Sequence, residues 1–423
     1  MSHFLFERWV ANAAGNTPLS SHQGCHDLAF QRWFKFKEAY SPKLLAAEIA
    51  KLRTFPETCI DPCGGCGTTG LSAQFLGITP TVIEINPFLA DLVEAKLCSY
   101  DLAELRRDYL NTISLVHSCK PNLETDLPAG PPTLYRRANM NRWVFPIAVI
   151  SRVIAYREAI ESLANVAHRK LFRVLLGSLL VEVSNVTISG KGRRYRQNWE
   201  KNERQAKDVD RLFQSKCLNA LVDIARFPKR PEVKFTVHKG SFREHIDSSF
   251  EFDLAFFSPP YPNSFDYTDI YNLELWVLGY FCSRNDESKL RLNNIHSHVQ
   301  VKRESTFCPI RTQTLETVVN RLCNIRSQLW NSRIPDMVDS YFYDMYELLL
   351  RLRSAIRPGG LIYIVLGDSS YSSVRIPVSE IVSELAESLD IHVIRNQRLR
   401  TLRSSAQQGG SYSLREDLIC LRC

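Results

Sequence analysis

The sequence predicts an α/β fold built on a doubly wound sheet. Three observations predict it. Short apolar runs alternate with helix-period segments over residues 58–99. A glycine-rich turn, Asp61 to Gly67, joins one such run to a helix-period segment, and Glu84 ends the next run. Later apolar runs, Phe252–Phe257 and Leu361–Leu366, read as strands buried on both faces, as in a parallel sheet.

The elements follow in order. Residues 1–35 carry Trp9, Phe30, Trp33 and Phe34 and read as an arm that packs onto another part of the chain. Residues 41–53 read as a helix, because Leu44, Leu45, Ile49 and Leu52 recur near period 3.6; Ser41 suits its N-cap and Pro42 its first turn. Thr58-Cys59-Ile60 is a strand, Thr68–Leu76 a helix, and Thr81-Val82-Ile83 a second strand. Pro87 opens a helix reaching about Ser99. Residues 101–230 break the alternation with helices at Val149–Leu163 and Lys170–Leu180 and a basic stretch, Thr187–Lys216. Strands resume at Lys234–His238 and Phe252–Phe257. Residues 283–335 are polar and predict an irregular excursion. Tyr341–Ile356 is an amphipathic helix ended by Pro358-Gly359-Gly360, and Ser379–Ser388 is another helix. Residues 392–399 and 417–422 predict a closing hairpin across the loop 404–411. The expected organisation is a first half of the sheet in residues 1–100, a helical basic insertion in 101–233, and the second half of the sheet in 234–423.

Composition excludes other classes. The 44% hydrophobic and 23% charged residues exclude wholesale disorder, and 18 Gly with 20 Pro exclude a collagen-like chain. The twelve cysteines include only two CxxC spacings, Cys63–Cys66 and Cys420–Cys423, so neither a zinc finger nor a disulfide framework is expected. The N-terminus shows no signal-peptide pattern, and no apolar run approaches the ~20 residues of a membrane span. A reducing, cytoplasmic setting is the expectation.

Two motifs carry chemistry. Glycines at a strand-to-helix junction let backbone amides approach a ligand, and an acid ending the next strand suits ribose hydroxyls. NAD binding is the natural rival for a glycine-rich loop followed by such an acid. The second motif is Ser258-Pro259-Pro260-Tyr261, directly after an apolar run. With these residues the chain resembles the amino-methyltransferases that modify exocyclic amines of nucleobases. Their signature pairs a DPFxGxGTT-like loop with a later [DNS]PP[YFW]. The resemblance covers residues 36–100 and 234–423. It implies a Rossmann-like seven-stranded methyltransferase sheet with a large helical insertion, and S-adenosylmethionine as cofactor.

The resemblance also implies roles. Asp61 would face the methionine end of the cofactor, Gly65 and Gly67 would permit its approach, and Thr68 and Thr69 would cap the following helix. Glu84 would bind the ribose. Tyr40 and Ser41, in the helix entry Ala39–Lys43, would suit the cofactor carboxylate, although plain N-capping fits Ser41 equally well. Cys63 and Cys66 replace the family's usual Phe and Ser and are expected beside the cofactor. Ser241 stands where an acid usually contacts the adenine, with Phe242 as an alternative stacking partner. At the catalytic turn, the Ser258 hydroxyl and Pro259 carbonyl are acceptors for amine hydrogens, and Pro259 and Pro260 preorganise them. Tyr261 offers a face on which a flipped base stacks. Asp266 and Tyr267 are base-pocket candidates, with helix capping the competing role for Asp266. An Arg415–Glu416 pair is expected to be structural.

The charge is concentrated. The chain carries +8, and Thr187–Lys216 alone holds nine Lys and Arg against four acids. Lys191, Arg193, Arg194 and Arg196 form a stretch expected to be flexible and to contact the phosphates of double-stranded DNA, with a solvated surface as the competing reading. SPPY is most often associated with cytosine-N4 enzymes. The expected function is therefore N4-cytosine methylation at a specific DNA site, with a restriction or defence partner possible. Adenine-N6 methylation, RNA methylation and a nucleic-acid-binding protein on a degenerate methyltransferase scaffold stay open as alternatives.

Overall fold

The apolar runs of the central strands, such as Phe252–Phe257, become strands that bury both of their faces. β1 (Thr58–Asp61) and β2 (Thr79–Glu84) come first, followed by a separate hairpin of β3 (Val186–Ser189) and β4 (Gly192–Tyr195). β5 (Thr236–Lys239), β6 (Phe252–Phe257) and β7 (Ile356–Gly367) follow. A short hairpin of β8 (Ser369–Tyr371) and β9 (Val374–Ile376) precedes β10 (His392–Arg403) and β11 (Ser413–Arg422). The computed structural model describes residues 2–11, 18–127, 130–189, 192–228, 230, 233–403 and 413–423.

Seven strands form one sheet in the order β10-β11-β7-β6-β1-β2-β5. The five strands β7, β6, β1, β2 and β5 are parallel, while β11 runs antiparallel to β7 and β10 to β11. The fold is an α/β, Rossmann-like seven-stranded sheet. Chain order reverses between β1 and β6, which opens a crevice at the carboxyl ends of these strands, where such sheets bind ligands.

Alternation with period 2 divides the core. On one face Cys59, Leu254, Phe256, Tyr363, Val365 and Leu418 pack against helices Thr68–Leu76 and Pro87–Leu97. On the other, Ile60, Ala255, Phe257, Ile362, Ile364 and Ile419 pack against helices Ile334–Ala355 and Val378–Ser388. Fully burying such a side chain contributes roughly 1.5–3 kcal/mol. The first cluster continues into residues 101–233 through Ile150, Leu175 and Phe213, so the inserted helices share the core of the sheet. Helix Val166–Val183 is also joined to helix Pro87–Leu97 by Lys170–Glu94 at 2.5 Å.

The N-terminal arm packs as expected. Trp9 stacks on Phe75 with centroids 4.4 Å apart, and Trp33 Nε1 donates to buried Asp223 at 3.0 Å. Two expectations fail. Residues 283–335 are not irregular, since they contain helices Arg284–Asn293 and Gln313–Asn324. In the second helix only Leu315, Val318 and Leu322 are buried, which leaves its other faces polar. The basic stretch is not a flexible loop either, since β3, β4 and helix Ala206–Arg226 order most of it. The loop 404–411 lies outside the described residues. Among the described residues no helix is long and apolar enough to cross a membrane.

Candidate active site

A cavity of about 390 Å³ opens at the carboxyl ends of β1, β2 and β6. The glycine loop walls one side and the SPPY turn another. The loop takes its shape from Gly67, whose φ of 78° starts helix Thr68–Leu76 and whose added Cβ would meet Val93 at 3.0 Å. Asp61 ends β1 and its Oδ1 accepts from the Cys63 amide at 3.0 Å. Burial pushes the Asp61 carboxyl up to about 6. Glu84 ends β2. Its Oε2 accepts from the Gly65 amide at 2.5 Å and its Oε1 from the Asn86 amide at 2.8 Å. Burial pushes this carboxyl up to about 7, with Asp61 adding to the rise and the amides opposing it. Tyr40 hydrogen-bonds Thr69, whose hydroxyl donates to the Phe256 carbonyl at 3.1 Å.

At the SPPY turn the Ser258 hydroxyl donates to the Val365 carbonyl at 3.1 Å and lies 3.4 Å from the Tyr261 hydroxyl. Tyr261 OH donates to Glu416 Oε1 at 3.2 Å, and Arg400 binds both oxygens of that carboxylate. The loop after the turn is anchored by Tyr371 OH donating to the Pro262 carbonyl at 3.0 Å and by Ser264 N donating to the Ser297 carbonyl at 2.8 Å. A third wall holds Phe36, stacked on Tyr271 at 5.2 Å, and Glu38, which accepts from Tyr271 OH at 2.7 Å. Burial raises the Glu38 carboxyl. Acidic acceptors thus sit by the loop, and hydroxyl and carbonyl acceptors sit by the turn, around one space.

Two relatives span most of the chain. Type II methyltransferase M.BsoBI of Geobacillus stearothermophilus is 25% identical over 447 residues, spanning 94% of this chain and 86% of that protein. Type II methyltransferase M.AvaI of Nostoc sp. is 24% identical over 414 residues, spanning 90% of this chain and 83% of that protein. The resemblance to SPPY-type amino-methyltransferases stands. The relatives indicate a methyltransferase. Type II methyltransferase M.MjaII of Methanocaldococcus jannaschii matches a shorter stretch, 29% identical over 91 residues, spanning 22% of this chain and 17% of that protein. No family model matches the chain. The solved rRNA methyltransferase aviRa from Streptomyces viridochromogenes aligns at 11% identity with a TM-score of 0.29, covering 98% of this chain and 92% of that one.

Ser258, Pro259, Pro260 and Tyr261 line the cavity. So do Tyr40, Asp61, Cys63, Gly65, Cys66, Thr68, Glu84, Ser241, Phe242 and Tyr267. The Ser241 hydroxyl also caps the short helix Phe242–His245, so capping competes with any ligand contact.

Several expectations are corrected. Ser41 does not line the cavity: it is buried and caps helix Pro42–Ile49, accepting from the Lys43 amide. Gly67 turns the loop and packs on Val93 instead of lining the cavity. Thr68 and Thr69 do not cap their helix, because the cap is Gly67 and they occupy its first turn. Asp266 is withdrawn from the pocket. It accepts from the Asp269 amide at 3.1 Å and pairs with Arg291 at 3.0 Å. Glu416 pairs with Arg400, and Arg415 with Asp417.

The basic residues also divide. Arg193 binds Asn272 and Asp269, and Arg196 donates to the Val181 and Ser184 carbonyls at 2.7 and 3.1 Å, which leaves both guanidiniums engaged internally. Arg194 is exposed, and Lys191 lies outside the described residues. Sequence reasoning missed Phe36, Glu38, Arg400 and Asn294 in the cavity wall. The aromatics beside Glu38 were a signal, since an acid between Phe36 and Tyr40 is costly to bury without a purpose.

Proposed function

We propose that this protein transfers the methyl group of S-adenosylmethionine to the exocyclic N4 amine of a cytosine flipped out of duplex DNA. One observation carries the reading. The glycine loop with Glu84 and the SPPY turn, 174 positions apart in sequence from Glu84 to Ser258, wall the same cavity.

The residues present fit the cofactor. Buried Asp61 and Glu84 are acceptors suited to its ammonium and ribose hydroxyls, and Phe242 offers an aromatic wall. When bound, the cofactor supplies a sulfonium methyl, so the chain needs no covalent nucleophile. The chain positions the amine. That nitrogen's lone pair is conjugated into the ring, and acceptors on its two hydrogens turn it toward reaction. Ser258 Oγ and the Pro259 carbonyl take this role, and Tyr261 supports the base by stacking. The same machinery serves an adenine N6 amine, so the product decides between the bases. Mass spectrometry of nucleosides from treated DNA is expected to show N4-methylcytosine. N6-methyladenine alone overturns the base assignment.

DNA binding is assigned to guanidiniums left exposed around the β3–β4 hairpin. Arg194 is one. Arg136, Arg137 and Arg142 are exposed and lie over Trp143, Tyr135 and Tyr195 at 4.6, 4.7 and 5.7 Å. The Arg193–Asp269 pair joins this hairpin to the segment carrying the cavity residues Tyr267, Thr268 and Tyr271. Replacing Arg136, Arg137, Arg142 and Arg194 with Gln is expected to flatten the salt dependence of DNA binding by about 0.9 in log–log slope for each phosphate that is no longer neutralised. An unchanged slope places the DNA elsewhere. A restriction or defence nuclease blocked by the same modification is the proposed partner system.

A further inference from the structure

The reaction needs Ser258 as an acceptor, yet a serine hydroxyl is equally able to receive a hydrogen from a neighbouring phenol. One rung of the sheet bears on that choice. Gly367 on β7 is in register with Glu416 on β11, and Glu416 with Arg400 on β10. A Cβ at Gly367 would collide with the Tyr261 ring, so glycine makes room for the phenol against the sheet. Its neighbour on the rung, Glu416, accepts the Tyr261 hydroxyl hydrogen at 3.2 Å. The third member, Arg400, binds the carboxylate through both Nε and Nη2, fixing where its oxygens point.

A phenol and a serine hydroxyl have one hydrogen each. Tyr261 gives its hydrogen to Glu416, and Ser258 gives its own to the Val365 carbonyl at 3.1 Å. Both oxygens therefore present only lone pairs to the cavity, although they stand 3.4 Å apart. Remove the carboxylate and the phenol hydrogen turns to Ser258 Oγ, occupying a lone pair the target amine requires.

We infer that Glu416 is a positioning residue that sets the polarity of the Tyr261–Ser258 pair and so keeps Ser258 an acceptor for the substrate amine. The inference rests on the amino-methylation reading above. In Glu416→Gln, Arg400 takes the amide oxygen and the amide NH₂ faces the phenol, a donor against a donor. The expected result is a fall in kcat on the order of 10²-fold, as for loss of one preorganised polar group. KM for unmethylated genomic DNA and calorimetric binding of S-adenosylhomocysteine stay unchanged. Tyr261→Phe keeps the ring and removes the competing hydrogen, so it costs less than Glu416→Gln. The double variant Tyr261→Phe/Glu416→Gln returns to the Tyr261→Phe level, a rescue that a packing role does not give. Losses that multiply in the double variant overturn the inference, as does parallel loss of S-adenosylhomocysteine binding in Glu416→Gln. A wild-type protein that methylates no base overturns the functional reading itself; an active wild type with multiplying losses overturns this inference alone.

Discussion

Tyr261→Ala is expected to abolish methylation while leaving S-adenosylmethionine binding intact. The ring lines the cavity, seated on Gly367 and tied to Glu416 by its hydroxyl. Truncation removes a stacking surface worth ~1–3 kcal/mol per base. It also frees the base to drift, and a misplacement of about 1 Å costs about 10²-fold. Together these give a fall in kcat/KM on the order of 10³- to 10⁴-fold. Cofactor binding is spared because Asp61 and Glu84 stand at the glycine loop, on another wall of the cavity. Steady-state kinetics beside calorimetry checks this, and equal loss of both contradicts the role given to Tyr261.

Glu84→Gln has the opposite signature, with a loss of cofactor affinity of roughly 10²-fold or more. A carboxylate accepts from two hydroxyls at once, and each charge-assisted bond contributes roughly 1.5–3 kcal/mol. An amide accepts through one oxygen only, and its NH₂ would face the Gly65 or Asn86 amide, again donor against donor. Binding also acquires a pH dependence. Burial raises the Glu84 carboxyl from 4.5 to about 7, so part of the free protein is protonated at neutral pH. The ionised form binds ribose hydroxyls better, so affinity rises as pH increases from about 6 to about 8 and proton release accompanies binding. The sign for stability is reversed. The folded chain holds this proton more tightly than the unfolded chain, so the stabilisation is full below 4.5 and lost as pH rises through about 7. Calorimetry across this range is expected to give a flatter profile for Glu84→Gln than for wild type. An unchanged profile assigns the titration to Asp61, whose carboxyl is raised to about 6.

Local features that sequence carries directly account for much of the site. Helix Thr68–Leu76 and strand Phe252–Phe257 have the bounds that periodicity and apolar content predict. The glycine loop, Glu84 and SPPY are each contiguous with a strand end, so recognising the strands also places those residues at one edge of the sheet. Boundaries were less legible where apolar content fades. Helix Ile334–Ala355 begins before the predicted Tyr341, and β7 starts at Ile356, ahead of the glycines expected to precede it.

The misread residues share a cause. Ser41, Asp266, Arg193 and Arg196 carry the chemistry that function needs, but a hydroxyl, carboxylate or guanidinium is also what a helix cap or an open carbonyl needs. Which demand wins depends on where partners such as Arg291 and Val181 fall after folding.

The sequence by itself determined the alternating strands and helices, the loop and turn at their ends, and the concentration of charge in one insertion. Each of these is written within a few consecutive residues. The tertiary structure alone decided which arginines face outward and that Gly367, Glu416 and Arg400 form one rung beneath Tyr261. Register between strands is set by packing across the whole sheet, and a shift of one residue would send Glu416 to the opposite face.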